Sequence, residues 1–261
     1  MSRSLERRAA AVLGDRVPPS VTALWFYRVL RREIRAARRA GRLDADPVAV
    51  ARTLDARAGV LNAGVGPHHV HVDIDFPYAT QRPAEFSVLL ERLQALRPER
   101  VCEIGTNRGG TLWYFSRVCA DDGTVVTIDR CAPFYTRSLR RHVGKPRQTI
   151  ASLEADSQAP ATLERVKKLL GGPLDFLFID GDHSYGGVRR DFELYAPLVR
   201  TGGLIALHDI NAGGGDGRPR DGQSWAGDVP RFWSEISAGR DVEELVAAPG
   251  EVGYGIGLIR V

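Results

Sequence analysis

Val101–Gly110 reads VCEIGTNRGG, and a little further on Gly123–Arg130 reads GTVVTIDR. Val101 to Ile104 has the pattern of a buried strand, the glycines that of a tight turn, and Thr111 to Cys119 that of a helix starting at once. Strand, glycine turn, helix and second strand form the opening of a nucleotide-binding β-α-β unit. Glycine is demanded where the backbone turns sharply and approaches a ligand, and a Cβ at Gly105 or Gly109 would block that approach. Asp129, ending the second strand, is placed to accept hydrogen bonds from ribose hydroxyls. The spacing Glu103, Gly105, Gly109 is ExGxxxG, whereas dinucleotide sites carry GxGxxG. A carboxylate closing the first strand repels a pyrophosphate and suits a cationic ligand.

The 261 residues, 43% of them apolar, suffice for one large domain or for one domain with an appendage. No run of eighteen apolar residues occurs, and the opening MSRSLERRAA lacks an apolar signal core, so the expectation is a soluble, cytoplasmic protein without membrane association. Cys102, Cys119 and Cys131 fall in the strand, helix and loop of one unit without metal-ligand spacing, as reduced residues in or near a core do. The net charge is +4, with lysine only at Lys145, Lys167 and Lys168 and arginine everywhere else, which is weak support for an anionic partner.

Residues 1–75 read as a helical N-terminal extension. In Val21 to Arg42, Phe26, Leu30, Ile34 and Ala37 share one sector of a helical wheel, and Arg28, Arg31, Arg32, Arg35, Arg38 and Arg39 cover the other. Glu33 on this helix and the plain loop AGRLDADP after it favour packing on its own domain or on a second copy, hence a homo-oligomer, over a membrane or RNA surface. His68, His69 and His71 lack a nearby cysteine or paired acid and fit a loop at a pocket mouth better than a ligand set. A helix is expected over Pro83 to Leu96. After Asp129 come a basic helix around Thr136 to His142, a strand near Arg147 to Ala151, and EADSQAP, where Asp156 or Ser157 is a natural N-cap for a helix Ala161 to Leu170.

The run LDFLFIDGDHSYGGVRRDFELYAPLVRTGGLIALHDI, from Leu174, carries the most chemistry. Leu174 to Ile179 and Leu204 to Leu207 read as strands buried on both faces, joined by a helix Val188 to Leu198 and a turn RTGG. Open parallel sheets bind ligands outside the carboxyl ends of their strands. Two strands ending in Asp and His therefore aim Asp180, Asp182, His183, His208 and Asp209 into one crevice beside the Gly105 turn. Burying unpaired carboxylates costs several kcal/mol, roughly, so such a cluster points to function. The stretch NAGGGDGRPRDGQSWAGD reads as a lid or a disordered loop, followed by a helix Val229 to Ile236 and strands near Val242 to Val246 and Tyr254 to Val261.

The ExGxxxG turn with Asp129 resembles the class I S-adenosylmethionine-dependent methyltransferases. From Gln81 to the C-terminus, and above all in FIDGDHSYGGVRRDFELYAPLVRTGGLIALHDI, the chain resembles their small O-methyltransferase branch, related to macrolide and aminocoumarin sugar methyltransferases and to cephalosporin-hydroxylase-like proteins. The resemblance implies an α/β, Rossmann-like domain over residues 76–261. Its seven-stranded, mostly parallel sheet would run 3-2-1-4-5-7-6, with the last strand antiparallel. It implies S-adenosyl-L-methionine held by Glu103, Gly105, Thr106, Asn107, Gly109, Asp129, Arg130, Asp156, Ser157 and Asp180, with the turn after the third strand on the adenine.

By the same resemblance Asp180, His208 and Asp209 occupy metal-ligand positions, and Asp180, His183 and His208 the catalytic ones. His183 stands where catechol-type enzymes carry a catalytic lysine, and a neutral imidazole there can take a hydroxyl proton. His208 replaces a carboxylate or amide, which leaves dependence on Mg²⁺ or another divalent metal open. The implied reaction is methyl transfer to a hydroxyl of a small molecule, a secondary metabolite or its sugar. A nicotinamide-dependent oxidoreductase is disfavoured by the ExGxxxG spacing. An RNA methyltransferase or RNA-binding module is disfavoured because DGDH stands where an NPPY-like tetrapeptide would follow the fourth strand, and no series of stacking aromatics appears.

Overall fold

The computed structural model describes residues 35, 39, 41, 45–52, 81–106, 109–130, 143–212, 226–247, 249–250 and 253–261. The expected helices Val21 to Arg42 and Thr136 to His142, the histidines 68, 69 and 71, the division near residue 75 and positions 213–225 of the glycine-rich stretch lie outside them or nearly so. No helix among the described residues is long and apolar enough to cross a membrane.

The helices are α1 Pro47–Arg52, α2 Pro83–Leu96, α3 Gly110–Val118, α4 Pro160–Leu170, α5 Tyr185–Tyr195 and α6 Val229–Ser237. The strands are β1 Arg100–Ile104, β2 Thr124–Asp129, β3 Thr149–Glu154, β4 Leu174–Ile179, β5 Val199–His208, β6 Val242–Leu245 and β7 Ile256–Arg260. They form one sheet in the order β3-β2-β1-β4-β5-β7-β6, as the resemblance implied, parallel from β3 through β5 and antiparallel where β7 pairs with β5 and with β6. The chain runs outward from β1 in one direction and then returns to β4, so β1 and β4 flank the point where the order reverses. At that point the connections diverge and leave a crevice.

Every residue of β4 is buried. Phe176 and Phe178 face a core built with α2 and α3, where Phe115 meets Phe176 edge-on at 5.3 Å and Phe86 meets Tyr114 at 5.0 Å. Leu177 and Ile179 face the other core, with Val166, Val188, Phe192, Phe232 and Trp233 from α4, α5 and α6. Val48 and Ala51 of α1 join the first core beside α2. One acid inside this core is structural: Asp175 accepts the backbone N–H groups of Glu99 and Arg100 at 2.8 Å each and Arg200 Nε at 2.6 Å, tying β1, β4 and β5 together at their entry ends.

Three boundaries differ from the sequence reading for identifiable reasons. RTGG is not a turn before a strand; β5 continues through it, and the register moves from Leu174↔Val199 to Phe176↔Leu204, so these residues loop out as a bulge with Gly202 at φ 78°. Helix α5 begins at Tyr185 because the Ser184 hydroxyl accepts Gly187 N–H at 3.1 Å, and it gives way to a 3₁₀ turn at Ala196–Leu198, where Pro197 has no N–H to donate. Helix α4 is capped by Ala159 without a side-chain bond and has Pro160 in its first turn, leaving Asp156 to accept the Gln158 N–H at 3.0 Å instead.

Candidate active site

A cleft of about 860 Å³ opens at the carboxyl ends of β1, β2, β4 and β5. Its floor is the Gly105 turn. Gly105 sits at φ 90°, and a Cβ there would stand 1.8 Å from the Asp180 carbonyl oxygen, while Asp180 N–H donates to the Ile104 carbonyl at 2.9 Å. The glycine therefore lets the ends of β1 and β4 touch, in addition to leaving room for a ligand. Gly105→Ala is expected to lower stability by about 3 kcal/mol, from overpacking plus an unfavourable φ, and to abolish cofactor binding. Thermal unfolding and calorimetry with S-adenosylhomocysteine check both parts.

Of the residues named for the cofactor, Gly105, Thr106, Asp129, Arg130, Ser157 and Asp180 line the cleft. Gly109 lies just behind, at φ 84°, as the N-cap of α3, and its neighbour Gly110 is the one on the wall. Asp156 is off the cleft and pairs with Arg130 at 3.6 Å; Asn107 is outside the described residues. Glu103 is completely buried beneath the floor, where one carboxylate oxygen accepts the Thr111 hydroxyl and the other the Thr127 hydroxyl at 3.0 Å. It braces the first turn of α3 against β2.

The charged constellation forms because the β4/β5 register pairs Ile179 with Leu207, which sets Asp180 beside His208. Asp180 Oδ1 lies 3.3 Å from His208 Nδ1 and 3.5 Å from His183 Nε2; Asp209 Oδ2 lies 3.4 and 3.7 Å from the same two nitrogens. His208 is buried, whereas His183 is open to the cleft, and Asp228 N–H holds the His183 carbonyl at 2.8 Å. Asp209 occupies the left-handed region at φ 63°, unusual for a residue with a Cβ, and its Oδ1 accepts Tyr254 N–H at 2.6 Å. Burial alone would raise the Asp180 carboxyl, but His208 and then His183 hold it below the usual carboxylate range. Burial would likewise lower His208, and Asp180 and Asp209 overcome it, raising that imidazole above its ordinary value.

Ligand atoms of Asp180, His183 and Asp209 lie within 4.8 Å of one another. Two carboxylate oxygens and an imidazole fit a divalent cation, manganese or zinc more naturally than magnesium, which prefers oxygen throughout. Three buried polar atoms of cleft residues have no partner among the described residues: Gln81 Oε1, Thr106 Oγ1 and His208 Nε2. Buried polar atoms are rarely left unpaired without cause, and these are available to a ligand.

Sequence reasoning missed Gln81, which approaches Asp180 Oδ2 at 3.5 Å, and Tyr254, whose ring stands 6.2 Å from that of His208. Neither carries a local signal, since one precedes α2 and the other lies just before β7. The glycines flanking Tyr254 were the available hint of a special backbone there. Glu85 was also passed over; it is buried in α2 and receives the N–H groups of Ala247 and Gly255 at 2.8 and 2.9 Å, fixing the segment that delivers Tyr254.

A sheet in this order, with a glycine turn after β1, an acid ending β2 and a polar crevice at the switch point, defines the Rossmann-like class I methyltransferase fold. Residues 102–210 match the family described as a methyltransferase domain. The chain is 29% identical over 130 residues to the rhamnosyl O-methyltransferase of Mycobacterium tuberculosis, covering 48% of this chain and 51% of that protein. It is 31% identical over 121 residues to a catechol O-methyltransferase of the same organism, covering 46% and 52%. The chain thus spans about half the length of either relative. The O-methyltransferase TomG of Streptomyces achromogenes, solved in complex with S-adenosylmethionine, superposes with a TM-score of 0.52 over 83% of this chain and 91% of its own at 19% identity, a likeness of fold. The chain thus has the fold of the class I methyltransferases, and its residues 102–210 are similar to a methyltransferase domain.

Proposed function

We propose that this protein transfers the methyl group of S-adenosylmethionine to a hydroxyl of a small molecule, a sugar-bearing or phenolic secondary metabolite. The observation that carries the reading is the meeting of Asp180, Asp209 and His183 in the same cleft that the Gly105 turn and Asp129 line. The named relatives, a rhamnosyl and a catechol O-methyltransferase, support a hydroxyl acceptor.

Asp129 accepts the ribose hydroxyls, and Gly105, Thr106, Arg130 and Ser157, which also line the cleft, enclose the rest of the cofactor. Glu103 acts from below by holding the turn. Asp180 and Asp209 would hold a divalent ion, which when bound supplies a Lewis acid for the acceptor hydroxyl. His208 steadies both carboxylates; with two carboxylate oxygens around Nδ1, that nitrogen carries its proton and donates. The acceptor oxygen attacks the methyl carbon, the carbon–sulfur bond breaks, and the electron pair leaves on sulfur as a neutral thioether. His183 Nε2 takes the hydroxyl proton. Because the sulfonium is already activated, alignment and proton removal are the protein's main contributions. Residues 1–75 would cap the acceptor or join a second copy.

Full-length protein incubated with methyl-labelled S-adenosylmethionine, Mn²⁺ or Mg²⁺, and a panel of glycosides and catechols is expected to move label onto oxygen. Failure to bind S-adenosylhomocysteine in calorimetry sinks the reading.

A further inference from the structure

Asp191, like Glu103, is completely buried although it lies outside the constellation. It lies on α5 with 0% exposure, its Oδ1 accepts the Ser157 hydroxyl at 2.7 Å, and its Oδ2 has no partner among the described residues. Two further bonds tie α5 to the same loop: Tyr195 Oη donates to the Ser157 carbonyl at 2.8 Å, and Gln158 Nε2 donates to the Gly187 carbonyl at 3.2 Å. Ser157 and Gln158 both line the cleft, whereas Asp191 does not. Burying a carboxylate to hold one surface-loop serine is costly, and a neutral acceptor would serve a purely structural contact.

A serine hydroxyl has one proton and two lone pairs, and it rotates to donate or accept as its neighbours require. A carboxylate only accepts. With its proton committed to Asp191, Ser157 can present lone pairs alone to the cleft. We infer that Asp191 fixes Ser157 as an acceptor facing the cleft, and that this pair selects a cofactor base bearing an amino group, as adenine does, over one bearing a carbonyl at the same position. The inference rests on the reading that the cleft takes S-adenosylmethionine and makes Asp191 a positioning residue, since it does not itself reach the ligand. Selection works in both senses: an amino group donates to Ser157, and a carbonyl oxygen meets lone pairs with no proton between.

Burial pushes the Asp191 carboxyl up to about 6; the Ser157 hydrogen bond opposes this, Asp182 and Asp156 add to it, and Arg130 opposes it. At pH 8 the group is ionised, so the lock is fully engaged there.

The test is calorimetry at pH 8 with S-adenosylhomocysteine and with S-inosylhomocysteine, in which a carbonyl replaces the amino group. Wild-type protein is expected to prefer the adenosyl compound by roughly tenfold to a hundredfold, the range for a polar group left unpaired. Asp191→Asn keeps an acceptor toward Ser157 and should retain most of that preference. Asp191→Ala frees the hydroxyl to donate and should bring the two affinities within about threefold, mainly by strengthening the inosyl compound, an outcome that loss of packing alone does not produce. Ser157→Ala should do the same, and adding Asp191→Ala to it should change the ratio no further. An undiminished preference in Asp191→Ala overturns the inference; should that variant not fold, an undiminished preference in Ser157→Ala does so. If wild-type protein binds neither compound, the cofactor reading fails first, and the two failures are thereby told apart.

Discussion

Asp180→Asn is expected to lower methyl transfer by about 10³ or more while changing the affinity for S-adenosylhomocysteine by no more than about threefold. The substitution removes one of the two carboxylates that converge between His183 and His208, and with it the negative charge that would hold a cation against the acceptor. The cofactor keeps its own contacts, because Asp129 and the Gly105 turn are untouched and the Asp180 backbone stays where Ile104 holds it. His208 keeps Asp209 as a partner at 3.4 Å, so the buried imidazole is not stranded. Turnover with saturating Mn²⁺, calorimetry with S-adenosylhomocysteine and a thermal unfolding curve separate loss of chemistry from loss of fold. Equal losses of turnover and cofactor affinity would place Asp180 in the cofactor site alone.

His183→Ala should reduce turnover by ~10² to 10⁴, the usual contribution of a positioned base, and the deficit should shrink as pH rises and the acceptor ionises unaided. The His183 side chain is 28% exposed against 5% for His208, and its Nε2 lies 3.5 and 3.7 Å from the two carboxylates. The same variant distinguishes a second role for that nitrogen, since it also belongs to the compact donor set. Recovery at high pH supports proton removal; recovery on raising Mn²⁺ at constant pH makes His183 a ligand. Wild-type turnover across the pH range would remove it from the mechanism.

The strongest local signals were legible in sequence because they depend on periodicity and on glycine. Six apolar residues from Leu174 to Ile179 describe a strand buried on both faces, and Asp180 must then sit at its carboxyl end. The same logic placed His208 and Asp209. Asp129 followed from its place as the acid that ends the second strand. Less legible were Asp156 and Ser157, which local rules offered as helix caps; neither caps α4, because the helix starts at Pro160 with Ala159 in the cap position, and Ser157 is drawn to Asp191, 34 residues away in the chain. RTGG read as a turn because glycines usually punctuate strands, yet the β4/β5 pairing resumes beyond it.

The sequence by itself determined that this chain builds a β-α-β turn and brings two Asp–His strand ends to one side of a sheet, since parallel direction follows from a helix joining successive strands and ligand position from strand ends. The tertiary structure alone decided which atoms meet. The Ile179↔Leu207 register set Asp180 against His208, the left-handed backbone at Asp209 turned its carboxylate inward, and α5 delivered Asp191 to Ser157. It also put Glu103 under the cleft instead of in it, and drew Gln81 and Tyr254 to the site from opposite ends of the domain. Hydrogen-bond partners distant in sequence are chosen by packing and register, which no local pattern encodes.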